Sequence, residues 1–240
     1  MDKLFLLDAY ALIYRSYYAF IKNPRINSKG LNTGAIIGFV NTLQEVIDKE
    51  QPKYLGVAFD PHGPTFRSEA FPAYKAQREA TPEDIHKAVP IIKQLLEAYR
   101  IPVLQADGFE ADDVIGTLAR QADAMGTLDT YMLTPDKDYG QLVTDHARIY
   151  RPRHGGGYEV MGPQEVCTKY DITHPGQIID LLALMGDSAD NFPGCPGVGE
   201  KTATKLIKDF GSVEQLLLRT EELKGTLKKK VEDHVDDIKM

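Results

Sequence analysis

Acidic side chains recur in this chain where apolar runs end. Asp8 closes Leu4-Phe5-Leu6-Leu7, Asp60 closes Tyr54–Phe59, and Asp136 and Asp138 follow Thr130–Leu133. Gly108-Phe109-Glu110-Ala111-Asp112-Asp113 sets three carboxylates within four positions after Ile101–Leu104, and Asp187 and Asp190 stand in the turn Gly186–Asn191. Any one group has an ordinary explanation, because acids cap helices and are favoured at their N-termini. Five groups converging on one sheet edge do not. Like charges that close raise one another's pKa unless something positive sits among them. Oxygen donors without a His–Cys set fit Mg²⁺ or Mn²⁺ better than zinc. So many carboxylates suggest two ions, the arrangement used for in-line displacement at phosphodiesters.

Two further stretches carry chemistry. Pro193-Gly194-Cys195-Pro196-Gly197-Val198-Gly199 opens into a helical pattern with Lys201, Lys205 and Lys208 on one side. Backbone N–H groups at a helix start bind phosphate oxygens, and glycine allows the close approach. The turn is neither a Walker loop nor a dinucleotide fingerprint, since no strand precedes it. A tight interhelical turn with a solvated lysine face is the plainer alternative. Pro61–Arg78 lacks periodicity and interleaves Phe66, Phe71 and Tyr74 with Arg67, Lys75 and Arg78. Cations among aromatics suit a single nucleic-acid strand, gripping phosphates while stacking bases. An ordinary surface loop is the competing reading.

These residues need a scaffold, and the pattern supplies one. Strands are expected at Lys3–Asp8, Tyr54–Asp60, Pro102–Gln105 and Thr130–Leu133, and a hairpin at Ala147–Tyr150 and Tyr158–Met161 joined through Arg151–Gly157. Helical spacing runs over Tyr10–Phe20, over Gly34–Lys49 behind Thr33 as N-cap, and over Glu110–Met125. Thr81 as N-cap with Pro82 at the first helical position starts another, ending near Tyr99. The last third reads as helices Pro163–Tyr170, Pro175–Met185, Thr202–Asp209, Ser212–Leu218 and one from Glu221 onward. Alternating strands and helices give an α/β fold with a largely parallel sheet, whose ligands sit at the carboxyl ends of the strands.

Bulk properties bound the answer. With 240 residues, 42% hydrophobic and 26% charged, the chain has an ordinary globular composition. No apolar run reaches the roughly 20 residues a membrane span needs, and the start at Met1 is not a signal peptide. Cys167 and Cys195 show no ligand spacing and are expected as free buried thiols in a reducing cytoplasm. A net charge of −7 argues against a nucleic-acid partner unless the acids are gathered in a metal pocket. Between Glu200 and Lys230 bases outnumber acids, which reverses the sign of the whole chain.

Taken in order, Leu7-Asp8, Phe59-Asp60, Arg67 with Tyr74-Lys75, Gly108–Asp113, Thr134–Asp138, Gly186–Asn191 and Pro196–Ala203 resemble the motifs of the 5′-nuclease (flap endonuclease) family. The likeness covers nearly the whole chain and is strongest to the branch found as the N-terminal 5′→3′ exonuclease domain of bacterial DNA polymerase I. It implies a PIN-like α/β core over 1–162, with 61–83 as a helical arch. A helical DNA-binding subdomain over 163–240 would contain a helix–two-turn–helix element at about 186–210 and be C-terminally truncated, since the family domain continues further.

Position by position, the resemblance assigns Asp8, Asp60, Glu110 and Asp112 to a first metal. Asp113, Asp136, Asp138, Asp187 and Asp190 go to a second. Lys75 and Arg78 resemble basic residues of the arch that stabilise charge on the scissile phosphate. Tyr14 falls where relatives stack an aromatic on the nucleotide. Arg15, Arg67 and Tyr74 are counted with the DNA contacts. So are Gly194, Gly197, Gly199, Lys201, Lys205 and Lys208, with a K⁺ ion implied at the glycine turn. Ala9 stands where relatives commonly have glycine, and Cys195 where a small aliphatic is usual; neither removes a ligand.

The expectation is a Mg²⁺-dependent, structure-specific 5′ nuclease with two ions, Mn²⁺ substituting. It would act on 5′ flaps, nicked or branched duplex and RNA-primer 5′ ends in replication and repair, leaving 5′-phosphates. A monomer in the bacterial cytoplasm, associated with the nucleoid and fused to a polymerase in the full-length protein, is the implied setting. Two rivals are a binding module without catalysis and a metal-dependent phosphatase on small substrates.

Overall fold

In a computed structural model, described over residues 1–153 and 155–240, the apolar runs become strands and the periodic segments helices. In chain order these are β1 (Asp2–Asp8), α1 (Ala9–Phe20), α2 (Gly34–Glu50), β2 (Tyr54–Ala58), α3 (Phe66–Ala70), α4 (Glu83–Ala98), β3 (Val103–Leu104), α5 (Ala111–Met125), β4 (Leu128–Leu133), β5 (Ala147–Pro152) and β6 (Tyr158–Met161). Then come α6 (Pro163–Tyr170), α7 (Gln177–Met185), α8 (Glu200–Phe210), α9 (Val213–Leu218), α10 (Gly225–Asp233) and α11 (Val235–Lys239). No helix among the described residues is long and apolar enough to cross a membrane.

The sheet has the order β3-β2-β1-β4-β5-β6, and the ladders β1–β2, β1–β4, β2–β3 and β4–β5 are all parallel. Phe5, Leu6 and Leu7 are all buried, as expected of a central strand covered on both faces. Phe5 and Leu7 join Leu12 and Ile13 of α1, Phe39 and Leu43 of α2, and Ile85, Ile92 and Leu96 of α4 in one core cluster. Helix α5 packs against β1, β2 and β4. The β1–β2 register pairs Asp8 with Ala58, and β1–β4 pairs Leu7 with Leu133, so these three strands finish level. That alignment puts the acids that follow them on one edge.

Two expected caps give way to tertiary bonds. The Thr33 hydroxyl donates to the Arg25 carbonyl at 2.7 Å, and the Gly34 N–H is taken by Asn32 Oδ1 at 3.1 Å. Thr81 Oγ1 accepts from the Tyr14 hydroxyl at 2.9 Å, leaving Pro82 as an extended N-cap one residue before α4 rather than as its first residue. Strands β5 and β6 are neighbours, and the Arg153 N–H donates to Gly157 O at 2.9 Å in the turn between them. His154, within the expected hairpin tip, lies outside the described residues. Cys195 is buried, whereas Cys167 is only half-buried.

The chain divides into two compact units. One holds residues 1–65, 79–139 and 144–160, and the other 66–78, 140–143 and 161–240. In the helical unit, α7 packs against α8, α9 and α11 around Leu181, Leu184, Leu206, Ile207 and Leu216. Two of its glycines bring the backbone close together. Gly194 has φ +57°, and a Cβ there would stand 2.1 Å from the Gly186 nitrogen. Gly194→Ala is therefore expected to destabilise the protein by about 3 kcal/mol or more, through strain and overpacking together. Thermal denaturation with an unchanged midpoint would refute the close-packing account.

Candidate active site

The carboxyl edge of the sheet gathers the acids of the first unit. Asp8 ends β1 and caps α1, its Oδ1 accepting from the Ala11 N–H at 3.1 Å. Its Oδ2 accepts from the hydroxyls of Thr134 at 3.2 Å and Tyr139 at 3.3 Å. Asp60 lies just past β2 and accepts the Ala111 N–H at 2.8 Å, tying it to the start of α5. Glu110, 8% exposed, is the N-cap of that helix, and Asp113 accepts the Glu110 N–H at 2.9 Å. Asp112 Oδ1 accepts the Asp113 N–H at 2.7 Å. After β4, Thr134 Oγ1 accepts from Asp136 N–H and Asp136 Oδ1 from Asp138 N–H.

The electrostatics of this edge weigh most on Asp8 and Tyr139. Burial, joined by the charges of Asp60 and Asp136, pushes the Asp8 carboxyl up to about 7, against the Ala11 N–H and Thr134 hydroxyl that favour its charged form. Buried Tyr139 is pushed well up by burial and by Asp8, Asp112 and Asp136 together. Acids from three segments thus meet at Asp8, and Asp112 from a fourth joins Asp8 and Asp136 in acting on Tyr139. Their donors are oxygens only, which suits a hard divalent cation. Among the described residues, no three His, Cys, Asp or Glu side chains form a group that could hold a metal ion, so the acids share an edge without forming a closed cage.

Other residues of this unit flank that edge. Tyr10 packs edge-on against Phe59, and Tyr10, Tyr14 and Tyr18 form a ladder along α1 with 6.4 Å between successive ring centres. The Tyr14 ring is partly buried against the core, and Arg15 donates to the Arg153 carbonyl at 3.3 Å. Lys93, on α4, donates to Gln105 Oε1 at 3.0 Å, with its ammonium 4.7 Å from the Phe59 ring centre. Burial pushes the Lys93 ammonium down, and no acid offsets it.

In the helical unit, the acidic turn and the segment expected as an arch hold each other. Arg78 pairs with Asp190 Oδ1 at 2.6 Å, and the Tyr74 hydroxyl donates to Asp190 Oδ2 at 3.2 Å. The Lys75 N–H donates to the Asp190 carbonyl, and Gln77 to the Ser188 carbonyl. Asp187, 8% exposed, accepts the Ala189 N–H at 2.8 Å. Only Phe66–Ala70 of this segment is helical; Lys75 has φ +55° in a run of turns. Tyr74, expected to stack on a base, is 6% exposed and packs on Phe192, so its ring is not a stacking platform. Arg67 lies over Phe66 at 4.6 Å.

Gly199 is the extended N-cap of α8, and Gly194 and Gly197 take positive φ. Lys201 and Lys205 face solvent opposite buried Ala203, Leu206 and Ile207, while Lys208 pairs with Asp171 at 2.5 Å. Sequence reasoning missed Tyr139 and Lys93 altogether and quoted Thr134 only as the first residue of the motif Thr134–Asp138, with no role of its own. The one available signal was a threonine at the point where the acids begin.

A parallel sheet with acids along its carboxyl edge, followed by a helical unit with a glycine turn, is the plan of a known nuclease class. Residues 3–171 match the family model for the 5′-3′ exonuclease N-terminal resolvase-like domain, and residues 173–240 that for its C-terminal SAM fold. DNA polymerase I of Bacillus subtilis is 43% identical over 241 residues, 99% of this chain but 27% of that protein. A 5′-3′ exonuclease of Aquifex aeolicus is 40% identical over 217 residues, 90% of this chain and 73% of that one. The chain thus spans about a quarter of the length of the polymerase relatives. T5 5′-exonuclease with bound zinc superposes with TM-score 0.77 at 21% identity, covering 99% of this chain and 86% of that one. The catalytic core of Rad2 with a DNA substrate does so at 0.59 and 19%, covering 98% and 72%. The chain belongs to the 5′-3′ exonuclease family, whose members are phosphodiester hydrolases.

The uncompensated charge at Asp8 has a measurable consequence. Asparagine keeps the cap on Ala11 while removing a disfavoured negative charge. At mildly alkaline pH in EDTA, Asp8→Asn is expected to raise Tm by roughly 2–4 °C, equivalent to about 1 kcal/mol. A lowered Tm would show that the carboxylate is a net stabiliser.

Proposed function

We propose that the chain is a structure-specific 5′ nuclease acting on DNA through divalent cations held at the carboxyl edge of the sheet. The observation that carries this reading is the negative charge gathered at one place, Asp60 and Asp136 acting on buried Asp8 and Asp8, Asp112 and Asp136 acting on Tyr139, which a cation among them would relieve. Family membership and the metal- and DNA-bound states of the T5 and Rad2 structures support it. Asp8, Asp60, Glu110 and Asp112 are proposed for a first ion. Asp113, Asp136, Asp138, Asp187 and Asp190 are proposed for a second, the last two on resemblance alone. Mg²⁺ is the proposed metal, with Mn²⁺ as substitute and K⁺ at the Gly194–Gly199 turn.

Divalent cations held there would supply an activated water and charge stabilisation for the leaving oxygen of a phosphodiester. The chain's own groups prepare that place. Thr134, Tyr139 and the Ala11 N–H fix the Asp8 carboxylate, and the Ala111 N–H fixes Asp60. Asp113 holds the Glu110 backbone, which sets the first turn of α5. Lys75 and Arg78 are proposed to neutralise charge on the phosphate being cut, once Arg78 leaves Asp190. Tyr14, Arg15, Arg67, Gly194, Gly197, Gly199, Lys201, Lys205 and Lys208 remain proposed DNA contacts. Flaps, nicks, branched duplex and RNA-primer ends are the proposed substrates, and a monomer in the bacterial cytoplasm, at the nucleoid and joined to a polymerase, is the proposed setting.

A labelled 5′-flap substrate with Mg²⁺ tests this directly, and should release a 5′-phosphorylated product that EDTA suppresses. Absence of cleavage from neutral to mildly alkaline pH would sink the reading. Asp112→Ala should slow cleavage by more than the roughly 10–100-fold that loss of an outer-shell partner costs. Lys75→Ala should slow it by roughly 10²–10³-fold, as loss of one transition-state donor does, while binding in Ca²⁺ changes little.

A further inference from the structure

A groove of about 490 Å³ runs between β3 and α5, walled by Val103, Val114 and Leu118 with the Phe109 ring beside them. Strand β3 is the edge of the sheet, and Val103 and Phe109 are 37% and 49% exposed. Gln105, Thr117 and Gln121 supply the neutral polar lining, and Asp113 closes the groove on the side of the acidic edge. Lys93 stands at the Gln105 end. Its contacts are the Gln105 amide oxygen and the Phe59 ring, and no acidic group among the described residues pairs with it. A partly buried cation left without an anion, beside an apolar slot with an exposed ring and two amides, has the complement of a nucleotide. The phosphate would meet the ammonium, and the base the ring and amides.

We infer that the β3–α5 groove, with Lys93, is a binding tract for single-stranded nucleic acid, holding an unstacked base against Phe109 and its phosphate on Lys93. The occupant is a single strand rather than a duplex, because a base must leave its stack to enter an apolar slot. The assignment rests on the nuclease reading only in taking nucleic acid as the ligand.

Binding of a fluorescein-labelled oligothymidylate, titrated by anisotropy in Ca²⁺ at several salt concentrations, tests it with the full chain and without any cleavage. Lys93→Met keeps the stem over Phe59 and removes the charge. It should weaken binding several-fold and reduce the slope of log affinity against log salt by about 0.7, the share of one single-strand phosphate, with Lys93→Arg restoring the slope. Phe109→Ala should weaken binding roughly tenfold while leaving the slope unchanged. Unaltered affinity and slope in Lys93→Met, with Tm retained, would overturn the tract. An equal loss for a blunt duplex in both variants would also overturn it, by placing Lys93 on a duplex backbone. Failure of the wild-type chain to cut a flap leaves these binding outcomes readable, so the two readings fail separately.

Discussion

Repulsion among carboxylates is the constraint on which the rest of the first unit depends. A sheet whose central strands end level delivers Asp8, Asp60 and the Asp136 turn to one edge whether or not they are comfortable there. The fold tolerates this by surrounding Asp8 with three donors while leaving its charge disfavoured. Stability is given up at the place where a cation would recover it. The buried Tyr139 ring shows how little slack remains, since its hydroxyl has a carboxylate for a partner and acids on several sides.

The helical unit resolves the same problem by pairing a carboxylate with a cation rather than by burying its charge among hydroxyl and amide donors. Asp190 is met by Arg78 and by the Tyr74 hydroxyl, and the surrounding turn is held by backbone and amide bonds from residues 73–78. A segment that reads as an irregular cationic loop is thus anchored by a few specific contacts. Its aromatics divide accordingly: Tyr74 is interior, whereas Phe66 is 45% exposed.

Much of this architecture was legible in the residues. Apolar runs stopping at acids located β1, β2 and β4, and the period of α2 and α5 was clear, because burial of one face dictates the spacing. What escaped was decided by long-range partners. Thr33 and Thr81 look like caps, but their hydroxyls are claimed by Arg25 and Tyr14. Tyr74 looks like a stacking ring because nothing local reveals that Phe192 covers it. Lys93 sits on an amphipathic helix where a lysine ordinarily means solvent, and its place over Phe59 depends on a strand that precedes it by more than thirty residues.

Lys75 carries its charge on a left-handed backbone, φ +55°, with its N–H given to Asp190. Such a conformation costs a non-glycine residue on the order of 1 kcal/mol, and more for a β-branched one. The position is therefore constrained by torsion as well as by its N–H bond. Arginine or asparagine suits the geometry better than valine, isoleucine or threonine, and proline is excluded because it has neither the required φ nor an N–H to give. Backbone torsion alone thus confines this residue to a short menu of side chains, whatever its charge does.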